Sequence, residues 1–352
     1  MKFDYCIGNP PYQENMQNTS DVPVYNDFMD AAYTVADKVE LITPARFLFD
    51  AGKTPKDWNH KMLNDEHFKV MNYEVSSKNV FANTDIKGGV AIHYRDASSN
   101  FGAIGVFSAF KEMNTIRTKV LSFNEDSFST IIYSAETYKF TQTMYDEHPE
   151  ILDMKIIVNG EEKPLISEGH EKDLVSNIFD KLKDIVFFMD KPSDGNEYMQ
   201  IYGRYNNDRC YMWIKRSYIA DAENINSYKV FVPKANGSGA IGEILVTPVI
   251  GEPVIGHTQT FISIGNFSEK EVASNVLKYV KSKFCRTMLS MLKVTQINQR
   301  PTWKLVPMQN FTSNSDIDWN KSISDIDKQL YQKYGLSDDE INFIETHVKE
   351  MN

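Results

Sequence analysis

The tetrapeptide Asn9-Pro10-Pro11-Tyr12 constrains the local fold more than any other stretch of this chain. It follows Phe3–Gly8, a short apolar run that has the composition of a β-strand and ends in glycine. Two consecutive prolines fix two φ angles, remove two backbone donors and keep Asn9 out of the helical region. The sequence therefore predicts a rigid loop that could hold a planar group carrying an amino group. The alternative is a proline-rich turn that happens to end in tyrosine.

The composition is that of a globular protein with a substantial core. The chain has 352 residues, of which 41% are hydrophobic and 12% aromatic, so one large or two ordinary domains are expected. No apolar run is long enough to span a membrane, and no secretory signal is recognisable. The three cysteines and seven histidines lack the spacing of a zinc site. These features predict a cytoplasmic protein with no membrane partner and no metal centre.

The distribution of charge indicates a possible polyanion-binding surface. The formal net charge is −10, yet residues 200–310 contain 14 basic and 7 acidic side chains, a net charge of +7. A basic block within an acidic chain is typical of proteins that bind nucleic acid. The alternative is an ordinary fluctuation of composition along the chain.

The first 98 residues have the pattern of an α/β unit. After the Phe3–Gly8 strand, the periodicity predicts the following elements: a helix over Val24–Ala36, a strand over Val39–Ile42, a helix over Lys56–His67, and strands over Phe68–Glu74 and Val90–Tyr94. In helix Val24–Ala36, one face is expected to carry Tyr25, Phe28, Met29, Ala32 and Val35. The unit is short for a doubly wound domain, because nothing before Asn9 supplies the usual glycine-rich cofactor turn. The chain is therefore expected to begin in the middle of a domain.

One Gly-x-Gly-x-x-Gly match, Gly237–Gly242, follows a strand-like run. The segment after it, Ile244–Ile250, is β-branched and contains a proline, so no helix is expected there. We therefore interpret these glycines as a hairpin or loop and not as a cofactor site.

The middle of the chain is expected to be mixed α+β. Spacing of apolar residues predicts a helix over Asp173–Phe188. Residues 202–218 combine tyrosines and a tryptophan with four basic residues, Arg204, Arg209, Lys215 and Arg216. Basic residues among aromatic ones suit phosphate contacts combined with base stacking. The alternative is a pair of core strands with a solvated outer face.

Residues 270–293 have the clearest helical pattern. Four basic residues lie opposite the apolar stripe: Lys278, Lys283, Arg286 and Lys293. We predict that they face phosphates, with Lys304 extending the basic block, although such a face is more often simply solvated. The tail, Ser324–Met351, has the pattern of two acidic helices separated at Gly335, and Ser337 with Glu340 forms a capping-box signal.

Three motifs resemble the gamma class of adenine-specific DNA methyltransferases of restriction–modification systems. The first is Phe3–Tyr12, which contains the Asn-Pro-Pro-Tyr sequence. The second is Glu40–Leu48, and the third combines Asn79–Phe81 with Asp85–Val90. Segments between Thr295 and Tyr331 also resemble the target-recognition region of these enzymes. The similarity extends over essentially the whole chain.

This resemblance implies a chemistry and a set of site residues. The family extrudes an adenine from the duplex and transfers a methyl group to its amine from S-adenosyl-L-methionine. By position, Asn9 and the carbonyl of Pro10 would accept the two amine hydrogens, with Pro11 completing the loop. Tyr12 would stack on the base, and Phe81 would provide a second stacking surface. Asn9 would also face the cofactor, and double-stranded DNA would be the substrate.

The chain departs from the family in one respect. Complete members carry the cofactor-binding segment before the Asn-Pro-Pro-Tyr strand, and this sequence contains none. The resemblance therefore implies an upstream methyltransferase polypeptide or subunit, or a truncated gene product. The strand Phe3–Ile7 would then be an exposed edge.

These observations predict three regions. Residues 1–98 would be a partial Rossmann-like catalytic half-domain, residues 99–312 a target-recognition domain, and residues 313–352 a helical tail. The alternative function is a DNA-binding specificity component without catalysis. A nuclease is less favoured, because it needs a clustered acidic and lysine metal site and no Asp…Glu-x-Lys arrangement in a β context is convincing.

Overall fold

The computed structural model describes residues 3–14, 22–81, 86, 88–158, 160–237, 241–293 and 295–351. The chain divides into two compact units, Met1–Asn114 and Thr115–Asn352. The domain boundaries predicted after residues 98 and 312 stay predictions.

The first unit is built around a mixed sheet. Its elements are β1 (Phe3–Gly8), β2 (Gln13–Glu14), β3 (Val22–Pro23), α1 (Tyr25–Val35), β4 (Ala36–Pro44), α2 (Lys56–Leu63), β5 (Phe68–Glu74) and β6 (Val90–Asp96). Helix α3 (Lys111–Leu121) contains the division point between the units. The predicted order strand, helix, strand, helix, strand, strand is confirmed, with the short pair β2–β3 added before α1.

Strand directions place three strand ends at one edge of this sheet. The strand order is β1-β4-β6-β5. Strand β1 runs parallel to β4, with Gly8 paired to Leu41, whereas β6 is antiparallel to both β4 and β5. Strands β1, β4 and β5 therefore end at the same edge, which we call the carboxyl edge.

Helices α1 and α2 cover one face of the sheet. Tyr25, Met29 and Ala32 are buried with Val39 and Leu41 of β4, so most of the predicted apolar face of α1 is confirmed. Its two remaining members are exposed, since Phe28 is 47% and Val35 43% accessible. At 100° per residue they lie about 60–80° round the helix from the buried stripe.

The second unit combines sheets and helices, as predicted. Its elements are β7 (Ile132–Tyr133), α4 (Gln142–Glu147), β8 (Lys155–Val158), β9 (Glu161–Pro164), α5 (Ile178–Leu182), β10 (Tyr198–Tyr205), β11 (Asp208–Lys215), β12 (Tyr228–Pro233), β13 (Val249–Gly251), β14 (Ile255–His257), β15 (Phe261–Phe267), α6 (Lys270–Lys281), α7 (Lys283–Ser290), α8 (Ile323–Lys333) and α9 (Asp338–His347). The sheet orders are β11-β10-β14, β13-β12-β15-β7 and β8-β9.

Two predicted helices of this unit are wrong in extent. Within Asp173–Phe188 only Ile178–Leu182 is α-helical, and Asp184 adopts a left-handed conformation with φ 62°. The predicted helix over residues 270–293 is broken at Ser282, which is extended and accepts a hydrogen bond from the Cys285 amide. The break is stable because Asp327 of α8 accepts the first amides of α7.

The predicted tail is confirmed. Helices α8 and α9 flank Gly335, which has φ 59°. Ser337 and Glu340 form the predicted capping box, because each side chain accepts a hydrogen bond from the backbone amide of the other residue.

Candidate functional site

The Asn9–Tyr12 loop lies where β1 ends, at the carboxyl edge. Asn9 and Pro11 are exposed, whereas Pro10 and Tyr12 are half-buried. The Tyr12 carbonyl accepts a hydrogen bond from the Val24 amide, 3.2 Å away, directly before α1. The loop is therefore fixed at both ends, by β1 and by the start of α1, while Asn9 stays exposed.

Two predicted site residues, Tyr12 and Phe81, are brought together. Their ring centroids are 6.4 Å apart with an interplanar angle of 65°, an edge-to-face arrangement that aromatic pairs favour. The Tyr12 hydroxyl oxygen is buried and has no hydrogen bond of good geometry among the described residues. Burial raises the pKa of this phenol, and the nearby Asn9 side chain partly opposes the increase.

Ser77 connects Phe81 with the start of β6. The Ser77 carbonyl accepts the Phe81 amide at 2.8 Å, and its hydroxyl accepts the Ile86 amide at 2.8 Å. The Ile86 carbonyl then accepts the Gly89 amide. Of the motif residues here, Asp85 and Lys87 lie outside the described residues.

Arg46 is a further candidate site residue. In the sequence it stands out only as part of the Glu40–Leu48 motif. It begins a 3₁₀ turn, Arg46–Phe49, immediately after β4. Its side chain is exposed and packs along Gly88, where a Cβ would lie 2.6 Å from the Arg46 Cγ atom. Its position two residues after Pro44, at the end of a strand parallel to β1, is the sequence signal that could have identified it.

The four basic residues of β10–β11 and the turn after it make intramolecular contacts. Arg204 donates to the Asn207 side chain at 2.9 Å, and Arg209 donates to the carbonyls of Val246 and Thr247. Lys215 pairs with Glu147 at 2.8 Å, and this hydrogen bond raises the Lys215 pKa.

Arg216 pairs with Asp221. Alternate residues of the strands, including Ile201 and Ile214, are fully buried. The strands are therefore core strands, and the DNA contacts of these four residues stay a prediction.

The predicted basic face of residues 270–293 is wrong for two residues. Arg286 and Lys293 are only 2% and 5% accessible. Arg286 donates to the carbonyls of Lys281 and Lys349, and Lys293 donates to the carbonyl of Asn236. Since the cations are buried against backbone acceptors, neither lies on a surface that could meet phosphates.

The other basic residues of this block differ in exposure. Lys278 donates to the carbonyl of Trp319, and Lys283 pairs with Glu345. Lys304 is exposed. Of the five residues expected on this block, Lys304 is therefore the best placed for contact with a polyanion.

The glycine-rich segment Gly237–Gly242 is described only in part, because residues 238–240 lie outside the described ranges. The Gly242 carbonyl accepts the Lys349 amide at 3.1 Å, and a Cβ on Gly242 would lie 2.2 Å from the His347 carbonyl oxygen. The described part therefore packs against the end of α9, and the interpretation as a loop without a cofactor stays a prediction.

The described residues contain neither a metal-binding cluster nor a membrane-spanning helix. No group of three or more His, Cys, Asp or Glu residues is arranged to hold a metal ion in that part of the chain. No helix in the same residues is both long and apolar enough to cross a membrane.

Comparison with known proteins shows that the beginning of the chain is similar to a family of restriction-modification methylases. Residues 1–81 match the sequence model of the family described as Eco57I restriction-modification methylase. A Mycoplasma pneumoniae protein described as an uncharacterized adenine-specific methylase is 25% identical over 152 residues. These residues are 42% of this chain and 36% of that protein, so the similarity spans about a third of the relative's length.

The crystal structure of the type IIG restriction endonuclease BpuSI aligns with 94% of this chain and 48% of its own, at 9% identity and a TM-score of 0.34. At this TM-score the likeness supports no further argument. The segment that resembles the Eco57I restriction-modification methylases contains the complete Asn9–Tyr12 loop, Arg46 and Phe81.

Proposed function

We propose that this chain is the base-holding and DNA-recognition part of an adenine-specific DNA methyltransferase. The reaction transfers a methyl group from S-adenosyl-L-methionine to the exocyclic amine of an adenine in double-stranded DNA. The observation that carries the proposal is the rigid Asn9–Tyr12 loop at the carboxyl edge, with Phe81 against Tyr12. The match of residues 1–81 to a restriction-modification methylase family supports it.

The loop is suited to hold an extruded base. An adenine must leave the base stack before its amine becomes accessible, at a cost of a few kcal/mol. Stacking on the Tyr12 ring, with Phe81 as a second wall, would offset part of this cost. Because Tyr12 is fixed through its carbonyl to Val24, the ring needs little ordering when the base arrives.

The polar atoms of the loop would activate the amine by orientation. The Asn9 side-chain oxygen and the Pro10 carbonyl would accept its two hydrogens, which favours a pyramidal nitrogen with its lone pair directed outward. S-adenosyl-L-methionine, when bound, supplies an electrophilic methyl group on sulfur. The new N–C bond forms as the S–C bond breaks, and the nitrogen then releases one proton to solvent.

The exposed edge of β1 supports a cofactor-binding segment supplied by an upstream polypeptide or subunit. Among the described residues, strand β1 lies at the end of the sheet and pairs with β4. Its side chains Phe3, Tyr5 and Ile7 are 62%, 58% and 75% accessible, an arrangement that favours association with another strand. A strand added beside β1 would bring a cofactor loop to the carboxyl edge, where Asn9 would face it.

The second unit would contact the DNA. Proposed phosphate contacts are those of the predicted basic residues that are not buried: Arg204, Arg209, Lys215, Arg216, Lys278, Lys283 and Lys304. We assign the protein to the cytoplasm, where its DNA substrate would lie.

The proposal is tested by methyl transfer. The purified chain, alone and with the product of the upstream reading frame, is incubated with unmethylated genomic DNA and methyl-labelled S-adenosyl-L-methionine. We expect label on the adenine amine when both are present, and a loss of about 10²-fold or more for Asn9→Ala. Absence of label from the complete mixture, or full activity of Asn9→Ala, would refute the proposal.

A specificity component without catalysis is the second candidate, and the basic residues of the second unit that are not buried, such as Lys304, favour it. In that case the chain alone would bind duplex DNA in a salt-dependent manner. It would show no affinity for S-adenosyl-L-methionine under any condition, including with the upstream product.

A further inference from the structure

The Arg46 side chain lies against two glycines at the carboxyl edge. Glycines lie against two sides of its aliphatic chain. Gly88 has φ 88°, and a Cβ there would approach the Arg46 Cγ atom to 2.6 Å; Gly52 has φ 94°, and a Cβ there would lie 3.3 Å from the Arg46 Cβ atom. Only glycine adopts these conformations readily and leaves this space. The aliphatic chain is therefore held while the residue stays exposed.

Backbone hydrogen bonds fix the two segments that form this position. The Ala45 amide donates to the Gly89 carbonyl at 3.0 Å, and the Ala51 amide donates to the Arg46 carbonyl at 3.0 Å. A Cβ on Gly89 would lie only 2.3 Å from the Glu74 carbonyl oxygen, so this turn also requires glycine. Arg46 is thus positioned by the ends of β4 and β5 and the beginning of β6.

The same contacts connect Arg46 with the base-holding loop. On one side, Gly89 is joined through Ile86 and Ser77 to Phe81, which contacts Tyr12. On the other side, Tyr25 follows Val24, whose amide donates to the Tyr12 carbonyl.

Burial raises the pKa of the Tyr25 phenol to about 12, and the positive charge of Arg46 partly opposes this increase. Two chains of contacts therefore link Arg46 to the loop, one through Gly89 and Phe81 and one through Tyr25.

We propose that Arg46 contacts a backbone phosphate of the DNA strand that passes over the carboxyl edge. This inference rests on the proposed function and assigns the catalytic unit its own phosphate contact. Among the described residues, no carboxylate forms an ion pair with the Arg46 guanidinium. A guanidinium has five donors in a planar fork that fits a phosphate in a bidentate manner.

The Arg46 phosphate contact is distinguishable from those of the second unit, because it would anchor the strand beside the extruded adenine. Its role would be positioning, since Arg46 itself does not touch the amine.

The test uses the full chain and a mixed-sequence DNA duplex without cofactor. Binding is measured by fluorescence anisotropy at several salt concentrations for the native protein, Arg46→Gln, Arg46→Lys and Lys69→Gln. Lys69 is a charge-matched control, because it lies near the start of β5, at the opposite edge of the sheet. Thermal melting of each variant verifies that it is folded.

We expect Arg46→Gln to reduce the slope of log K against log salt concentration by about 1. Arg46→Lys should recover most of the slope, and Lys69→Gln should match the native protein. An unchanged slope for Arg46→Gln would overturn the proposal. If Arg46→Gln left the slope unchanged and also weakened binding of S-adenosyl-L-methionine in the presence of the upstream product, Arg46 would instead be assigned to the cofactor carboxylate.

Failure of the proposed function is a separate outcome. If Arg46→Gln reduces the slope but the native mixture transfers no methyl group, the phosphate contact stands and the methyltransferase assignment fails. If the native mixture methylates DNA while Arg46→Gln binds like the native protein, only the Arg46 inference fails. A native chain that binds no DNA at all would overturn both.

Arg46→Gln could fail to fold, and Gly88→Ala, which displaces the Arg46 side chain, then takes its place. Gly88→Ala is expected to reduce the slope, and an unchanged slope would overturn the inference.

Discussion

The Phe81 ring packs edge to face against Tyr12, with centroids 6.4 Å apart, although the two residues come from different loops of the first unit. The Tyr12 hydroxyl oxygen is buried and makes no hydrogen bond of good geometry among the described residues, although the Asn9 side chain lies near enough to lower its pKa, against the larger increase that burial causes. At the carboxyl edge, the Tyr12 ring therefore has a defined packing partner, whereas its hydroxyl has no hydrogen bond of good geometry among the described residues.

Substitution of Tyr12 separates the two parts of its side chain. Tyr12→Phe should keep methyl transfer close to native and should not lower stability, because the buried hydroxyl that it removes makes no hydrogen bond of good geometry among the described residues. Tyr12→Ala should reduce methyl transfer about 10- to 100-fold, since stacking on an aromatic ring contributes about 1–3 kcal/mol. The measurement is label incorporation into unmethylated DNA with the upstream product present. Equal losses in Tyr12→Phe and Tyr12→Ala would contradict the stacking role.

His93 should make the first unit sensitive to acid. It is fully buried on β6, its Nε2 atom lies 3.1 Å from the Thr43 hydroxyl, and burial lowers its pKa from 6.5 to about 3. The folded state therefore resists protonation that the unfolded state accepts. Stability from this group is complete above pH 6.5 and is lost as the pH falls toward 3, by about 2 kcal/mol at pH 5.

Two measurements check this expectation. The urea midpoint of the native protein should fall between pH 8 and pH 5 by more than that of His93→Gln, which cannot titrate. In NMR spectra, the His93 ring protons should not titrate between pH 8 and pH 5. A midpoint near pH 6.5 for this ring would contradict the buried environment.

Local sequence signals predicted the elements that depend on neighbouring residues. The Asn9–Tyr12 loop follows from two prolines after a strand, and the start of α9 follows from Ser337 and Glu340 alone. Helix α1 was predicted within one residue at each end, because its buried residues recur at helical spacing.

The features that were missed depend on residues distant in sequence. The break at Ser282 is stabilised by Asp327, whose carboxylate lies on another helix. Arg286 was predicted on an exposed face, yet it is enclosed by backbone carbonyls from residues 242, 243 and 349. Periodicity locates the face of a helix on which a cation lies, but it does not reveal which segment later covers that face.

Loss of charge at Lys304 should weaken DNA binding, whereas loss of charge at Lys293 should lower stability. Lys304→Gln removes an exposed cation and is expected to reduce the salt slope of DNA binding by about 1 with little effect on stability. Lys293→Gln should lower the free energy of unfolding by about 1–3 kcal/mol, because it weakens a buried charge-assisted contact to the Asn236 carbonyl. Its salt slope, measured on folded protein by anisotropy, should equal the native value. A reduced slope for folded Lys293→Gln would show that this residue reaches DNA after all.

A matched pair of glycines tests whether the glycine-rich loop is held by the C-terminal segment. Gly242 has φ 71°, and a Cβ there would lie 2.2 Å from the His347 carbonyl oxygen, whereas Gly335 has φ 59° and a Cβ there would meet no described atom within 4 Å. Gly335→Ala should therefore cost only the backbone strain of a left-handed alanine, about 1 kcal/mol. Gly242→Ala adds a collision with backbone and should cost more than about 3 kcal/mol. Urea unfolding followed by tryptophan fluorescence measures both variants. Equal costs would contradict the packing of this loop against the end of α9 and would reopen it as a binding site.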